Sequence, residues 1–357
     1  MDIKHKIFNI IKSNLGLFLF SLFFIILYRE FLHSYKIQLE QTIPYFLYQP
    51  QIEFYLTGDE KFNIGAPAST RFVGLWIQYV IYNFFPCIEL SREINFTIPY
   101  ENYVCSTFAN AFMNYLCLCG FLTLSFMFSY NKLNLDLASS FLTVILSFIF
   151  LKYVESFTLD RLAVLYYLLV LYFLDNKKIA IFLILFGCLV NEKIVYILAV
   201  LFFIRYFINR DKSFLQYLIV TIISSVFVIS IFLFYAFILG KGYIESDLGS
   251  DGIYHKILTE GFSRIYAMFF YKQGYSNSVL PLLFTLLPYF LSIFIKINTS
   301  KIYFSKYDFL IPISLLLFTA GGAMESTGRY TMHSMPLWLP ILSQQVIFFF
   351  KKLAKKN

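Results

Sequence analysis

Charge is scarce in this chain of 357 residues: only 14% of positions are Asp, Glu, Lys or Arg. A soluble globular domain carries about 25%, so a chain folded around a single water-facing shell is excluded. Alternation of apolar and polar residues is missing too, which removes the sequence mark of a transmembrane barrel. There is no P-loop, G-x-G-x-x-G, H-E-x-x-H or G-x-S-x-G motif, so cytosolic nucleotide chemistry has no support. The five cysteines (Cys87, Cys105, Cys117, Cys119 and Cys188) show no paired C-x-x-C spacing of a zinc site. Four lie in or beside apolar segments, where Cys serves as a small hydrophobe. Cys87 and Cys105 could pair on the outer side or serve as unpaired small residues like the others. No internal repeat or low-complexity linker divides the chain, so residues 1–357 read as one integral membrane domain.

What is abundant is apolar and aromatic: 59% hydrophobic, 45 Phe, 28 Tyr, and mean hydropathy +0.68. Several runs reach the roughly 20 residues that cross a ~30 Å hydrocarbon layer. Runs such as Phe141–Leu151 are apolar on every side, as a buried or lipid-facing helix is. Backbone groups in lipid must pair within a segment, so these runs read as helices. The first, Asn14–Leu32, is too long for a signal-peptide core and reads as an anchor. The fold class expected is all-α: a polytopic bundle of about ten spans, with roughly nine to twelve as the range. The spans fall near 14–32, 103–130, 138–154, 162–174, 179–191, 194–208, 214–239, 278–297, 308–323 and 331–350.

Orientation follows the basic clusters. Lys4, Lys6 and Lys12 lie in one tail, and Lys351, Lys352, Lys355 and Lys356 in the other. Lys177-Lys178, then Arg205/Arg210/Lys212, then Lys296/Lys301/Lys306 lie between. All fall on one side if the apolar stretch Phe72–Phe85 does not cross but lies along the outer surface. Both termini are then cytoplasmic. The net charge of +8 belongs to these clusters and implies no nucleic-acid partner. Asp2, Asp136, Asp175, Asp211 and Asp308 fall inside, and the rest of the 21 acids outside. A bacterial inner membrane is the expected location, with the endoplasmic reticulum as the alternative.

The outer side holds four candidate motifs. The first outer loop, 33–102, has two expected surface helices, near Tyr45–Leu56 and Thr70–Phe85. Between them Asp59 and Glu60 sit on a Gly-flanked turn, as a general base or an oxygen ligand set would, or as a plain solvated turn. Next, Glu155 and Asp160-Arg161 occupy a short link between two spans, where Asp160 also suits a helix N-terminus. Third, Asn191-Glu192-Lys193 turns a hairpin with arms of only ~20 Å, so Lys193 can meet an anion or simply pair with Glu192. Fourth, Arg329 offers a planar donor for phosphate. His333 follows it as a catalytic or a structural residue, and Tyr330 and Trp338 read as interface anchors. A second long outer loop, 240–277, carries Glu245, Asp247 and Asp251 among glycines.

This layout resembles the GT-C superfamily of membrane glycosyltransferases: a cytoplasmic N-terminus, one span, a long acidic outer loop, then a further acidic outer link. The resemblance covers about the first 210 residues and rests on Asp59 and Glu60, then Glu155 and Asp160, with Gly328-Arg329-Tyr330 similar as well. It implies a polyprenyl-phosphate-linked sugar as donor and a lipid, glycan or protein as acceptor. It implies Asp59 or Glu60 as general base, with Arg161, Glu192, Lys193, Arg329 and His333 binding substrate or phosphate. Glu155 and Asp160 would be ligands of a divalent cation, Mg or Mn. The rival readings are a transporter or flippase, an O-antigen-type polymerase or ligase, and a non-catalytic membrane scaffold.

Overall fold

The computed structural model describes residues 14–41, 72–87, 101–151, 160–237, 280–295, 303–319 and 327–354. These residues are helical, with no strand among them. In chain order the helices are α1 (Leu15–Ile26), α2 (Tyr28–Gln41), α3 (Phe72–Phe84), α4 (Glu101–Met127), α5 (Leu137–Phe150), α6 (Asp160–Tyr172), α7 (Lys177–Phe186), α8 (Glu192–Asn209), α9 (Lys212–Phe237), α10 (Leu280–Leu291), α11 (Leu310–Thr319) and α12 (Met335–Ala354).

Local chemistry starts and stops them. Asp136 accepts the Ser139 N–H at 2.8 Å and Asn176 the Ile179 N–H at 3.3 Å, capping α5 and α7. Asp211 accepts the Ser213 N–H at the start of α9. Ser305 and Asp308 form a reciprocal capping box ahead of α11. The turns leaving the π-helical Phe128–Lys132 and α8 each pass through a left-handed residue, Asn134 at φ 53° and Arg210 at φ 54°.

The spine is α4, continued by the π-helical turn to Lys132. Residues Val104–Lys132 are 72% buried over their most apolar window. Helix α1 runs antiparallel to it, with Gly16 against Met127 and Phe24 against Tyr115. At Leu27 the path bends by 54° into α2. No Pro or Gly stands there. The Tyr115 hydroxyl donates to the Phe24 carbonyl, the acceptor that helical pairing would give to residue 28, and such insertion into the ladder kinks a helix. The expected end of the first span at Leu32 is therefore corrected. The helix continues to Gln41, because Phe31, Tyr35 and Gln38 are a buried stripe facing α4.

About ten crossings were expected. Among the described helices, two are long and apolar enough to cross a membrane, Val104–Lys132 and Lys212–Ile231, or three if the bent α1–α2 pair is one span. The other expected spans are helices, but α5, α6, α7, α10 and α11 have 14, 13, 10, 12 and 10 residues. At 1.5 Å per residue those rods are about 15–21 Å, short of the ~30 Å layer. The expected surface helix at Thr70–Phe85 is α3. It docks on α4 through a face of Gly74, Leu75, Gln78 and Ile81 while Trp76, Val80 and Phe84 stay exposed. Cys87, just after α3, is disulfide-bonded to Cys105 in α4, with Cα atoms 5.3 Å apart; the other three cysteines are buried free thiols. The Tyr45–Leu56 helix and the 240–277 loop lie outside the described residues.

Helix ends collect at two poles. One pole joins Lys132 to Asp175 at 2.5 Å, Lys351 to Asp136, and Arg205 to Asp308 at 2.7 Å. Arg205 is not the loop residue its charge suggested. It is 1% exposed, packed inside against Asp308 at 0%. The opposite ends of the same helices carry Cys87–Cys105, Asp160, Asn191 and His333.

Candidate functional site

Helix α6 opens on Asp160, and its carboxylate is 3% exposed. A carboxylate sealed this far from water requires partners. Asn191 supplies one, its Nδ2 donating to Asp160 Oδ1 at 3.4 Å. Asn191 sits in the turn between the Gly187–Leu189 3-10 turn and α8, where its carbonyl accepts from Ile194 N–H at 3.1 Å. The short arm α7 recesses this turn, and Asn191 is fully buried. His333 supplies the next neighbour, with Nε2 3.6 Å from the same Oδ1. That distance is longer than a hydrogen bond and close enough for strong Coulombic attraction once the ring is protonated.

His333 reaches this place because a 3-10 turn, Thr327–Ser334, leads into α12. Pro336 then falls in the first turn of α12, where a missing N–H costs nothing. Ser334 Oγ donates back to the Thr331 carbonyl at 2.6 Å, tightening the turn. Trp338, expected as an interface anchor, is instead wholly buried, edge-on to Phe150 with centroids 5.3 Å apart. Its register puts it on the face of α12 that packs on α5, one turn beyond His333.

Three of the four outer motifs therefore converge, through Asp160, Asn191 and His333, although 173 positions separate the first from the last. Arg161, the next residue, points elsewhere: it lines a small cavity with Glu30, Ser34 and Tyr115. Glu192 and Lys193 form the first turn of α8, and Arg329 lies in the 3-10 turn before His333. Their side chains lie outside the described residues, as do Asp59, Glu60 and Glu155 altogether. No group of three or more His, Cys, Asp or Glu that could hold a metal occurs among the described residues. Asn191 also turns a donor, not an acceptor, on Asp160. Of the two residues expected to hold a divalent cation, Asp160 is met by this amide donor, and Glu155 lies outside the described residues.

The sequence reading missed a second polar feature. Gln78 donates to Asn110 Oδ1 at 2.7 Å, Asn110 to Gln38 Oε1 at 2.9 Å, and Gln38 to Ser34 Oγ at 3.0 Å. Gln78, Asn110 and Gln38 are each at most 1% exposed. A signal was present: Thr107, Asn110 and Asn114 recur at three- and four-residue spacing within the apolar run of α4, marking one helix face.

The four acids described at the other pole are used structurally. Asp136, Asp175 and Asp308 pair with Lys351, Lys132 and Arg205, and Asp211 caps α9. Asp160, at the opposite pole, faces the Asn191 amide and the His333 ring.

Comparison with protein-family models, with curated proteins and with solved structures finds no match to this chain.

Proposed function

We propose that the chain is a multi-pass membrane glycosyltransferase of GT-C-like layout. It would transfer a sugar from a polyprenyl-phosphate donor to an acceptor hydroxyl at the pole that carries Asp160, Asn191 and His333. The observation that carries the reading is that convergence of three separate polar motifs in a sealed interior at one pole. The membrane setting is supported by an inverted surface. Ile219, Ile222, Ile223, Val226, Phe227 and Ile229 on α9 are each about half exposed. Asn, Gln, Asp and Arg side chains lie inside. Apolar surface on this scale faces lipid or a partner rather than water, and buried ionisable groups mark functional sites in membrane proteins.

In the proposed reaction the acceptor oxygen forms a bond to the anomeric carbon as the bond from that carbon to the phosphate oxygen breaks. Asp59 or Glu60 takes the acceptor proton. The departing phosphate gains negative charge, which Lys193 or Arg329 offsets. Asp160 and His333 hold the floor of the site. No step is routed through a metal. The location that fits is a bacterial inner membrane, with this pole outward; a disulfide at the same pole suits an oxidising compartment.

The test is consumption of a polyprenyl-phosphate sugar by the protein in vesicles. Asp59→Asn or Glu60→Gln should lower turnover by about 100-fold or more, the size of general-base assistance. Full activity in both removes the base assignment. A transporter or flippase is the second reading, favoured by the bend in the first helix beside buried charges. Movement of labelled donor across the vesicle without its consumption would establish it instead.

A further inference from the structure

A cavity of about 10 Å³ lies at the bend between α1 and α2, room for about one water. Glu30 and Arg161 line it from opposite elements, the first turn of α2 and the first turn of α6. Among the described residues no direct ion pair joins them, and Arg161 Nε has no hydrogen-bond partner. A guanidinium N–H enclosed without a partner is costly, and an enclosed cation needs a counter-charge. One water in this cavity satisfies both, accepting from Arg161 and donating to Glu30. Ser34 lines the same cavity and is also the last member of the buried row Gln78–Asn110–Gln38–Ser34. A row of hydrogen bonds thus runs from α3, across α4, to Ser34 of α2, which lines the same cavity as Arg161, the residue next to Asp160.

We propose that Glu30 is a positioning residue: through a single bridging water it holds Arg161, and so fixes the first turn of α6 that presents Asp160 to Asn191 and His333. Its effect on turnover rests on the proposed reading of that cluster as the reacting site; the water-bridged pair itself does not.

Two measurements on the full chain test it. In thermal unfolding in detergent, Glu30→Gln and Arg161→Gln should each lower the melting temperature by about 5 °C. The double variant should fall no further than the worse single. Glu30→Asp should stay within about 2 °C of the parent, since a second water can fill the shorter reach. Additive single effects, or none, overturn the pair. In donor turnover at a temperature where all variants are folded, Glu30→Gln should cut kcat about tenfold with KM within about twofold, and Glu30→Asp should restore it. An unchanged kcat in Glu30→Gln overturns the positioning role. If the parent turns over no donor while the melting cycle is non-additive, the transferase reading fails and the bridged pair stands.

Discussion

Removing the bond between Cys87 and Cys105 gives a worked prediction. The bond closes a loop with a sequence separation of 18 residues. The chain-entropy relation for that length gives about 3 kcal/mol of stability at 25 °C. Both cysteines are buried, at 4% and 6% exposure, so Ala is the cleaner replacement because it buries no hydroxyl. Cys87→Ala and Cys105→Ala should each lower the melting temperature by roughly 5 °C, and the double variant by no more than either, since one bond is lost in every case. Reductant should bring the parent down to the variants and leave the variants unmoved. In intact cells a membrane-impermeant reductant should expose two new thiols to alkylation. Five thiols accessible on unfolding without reductant, or additive losses in the double variant, would refute the reasoning. It would also remove the support the bond gives to the orientation of that pole.

The pair Arg205–Asp308 should behave as a buried charge couple. Arg205→Met or Asp308→Asn alone should cost about 3–5 kcal/mol by stranding the other charge, and the double change much less, read from unfolding in detergent. Asp136 tests the other pole by pH. The Lys351 ammonium, then the Ser139 contacts, hold its carboxyl down at about 2, below the usual value. A depressed carboxylate contributes stability above its unfolded value near 4 that is lost as pH falls through about 2. The gap in melting temperature between the parent and Asp136→Asn should therefore be full at about pH 6 and mostly gone at about pH 2, remaining small throughout because the pair is exposed.

Much of the helix order was legible in the chain. Long apolar runs located α4, α5, α6, α8 and α9 to within a few residues, since packing and backbone pairing leave such runs one solution. Charge bias put Asp136 and Lys351 in one group, and the structure pairs them. Breaks were not legible. The bend at Leu27 depends on Tyr115, 91 positions from its acceptor Phe24, and no local residue announces it. The shortness of α7 follows from the 3-10 turn Gly187–Leu189, which apolarity hides. Arg205 read as a loop cation because its partner Asp308 is 103 positions away. The site shows the same limit: Asp160 and His333 were each visible as candidates, but their meeting is a property of packing between α6 and the turn before α12.

The most direct measurement compares one substitution at both poles. Asp160→Asn and Asp136→Asn each remove a single carboxylate charge at a helix start, and both proteins can be assayed in vesicles for consumption of polyprenyl-phosphate sugar. The account predicts that Asp136→Asn keeps turnover within about twofold, while Asp160→Asn loses about 100-fold at equal folded yield. Equal turnover in the two variants would contradict it, as would a parent protein that consumes no such donor.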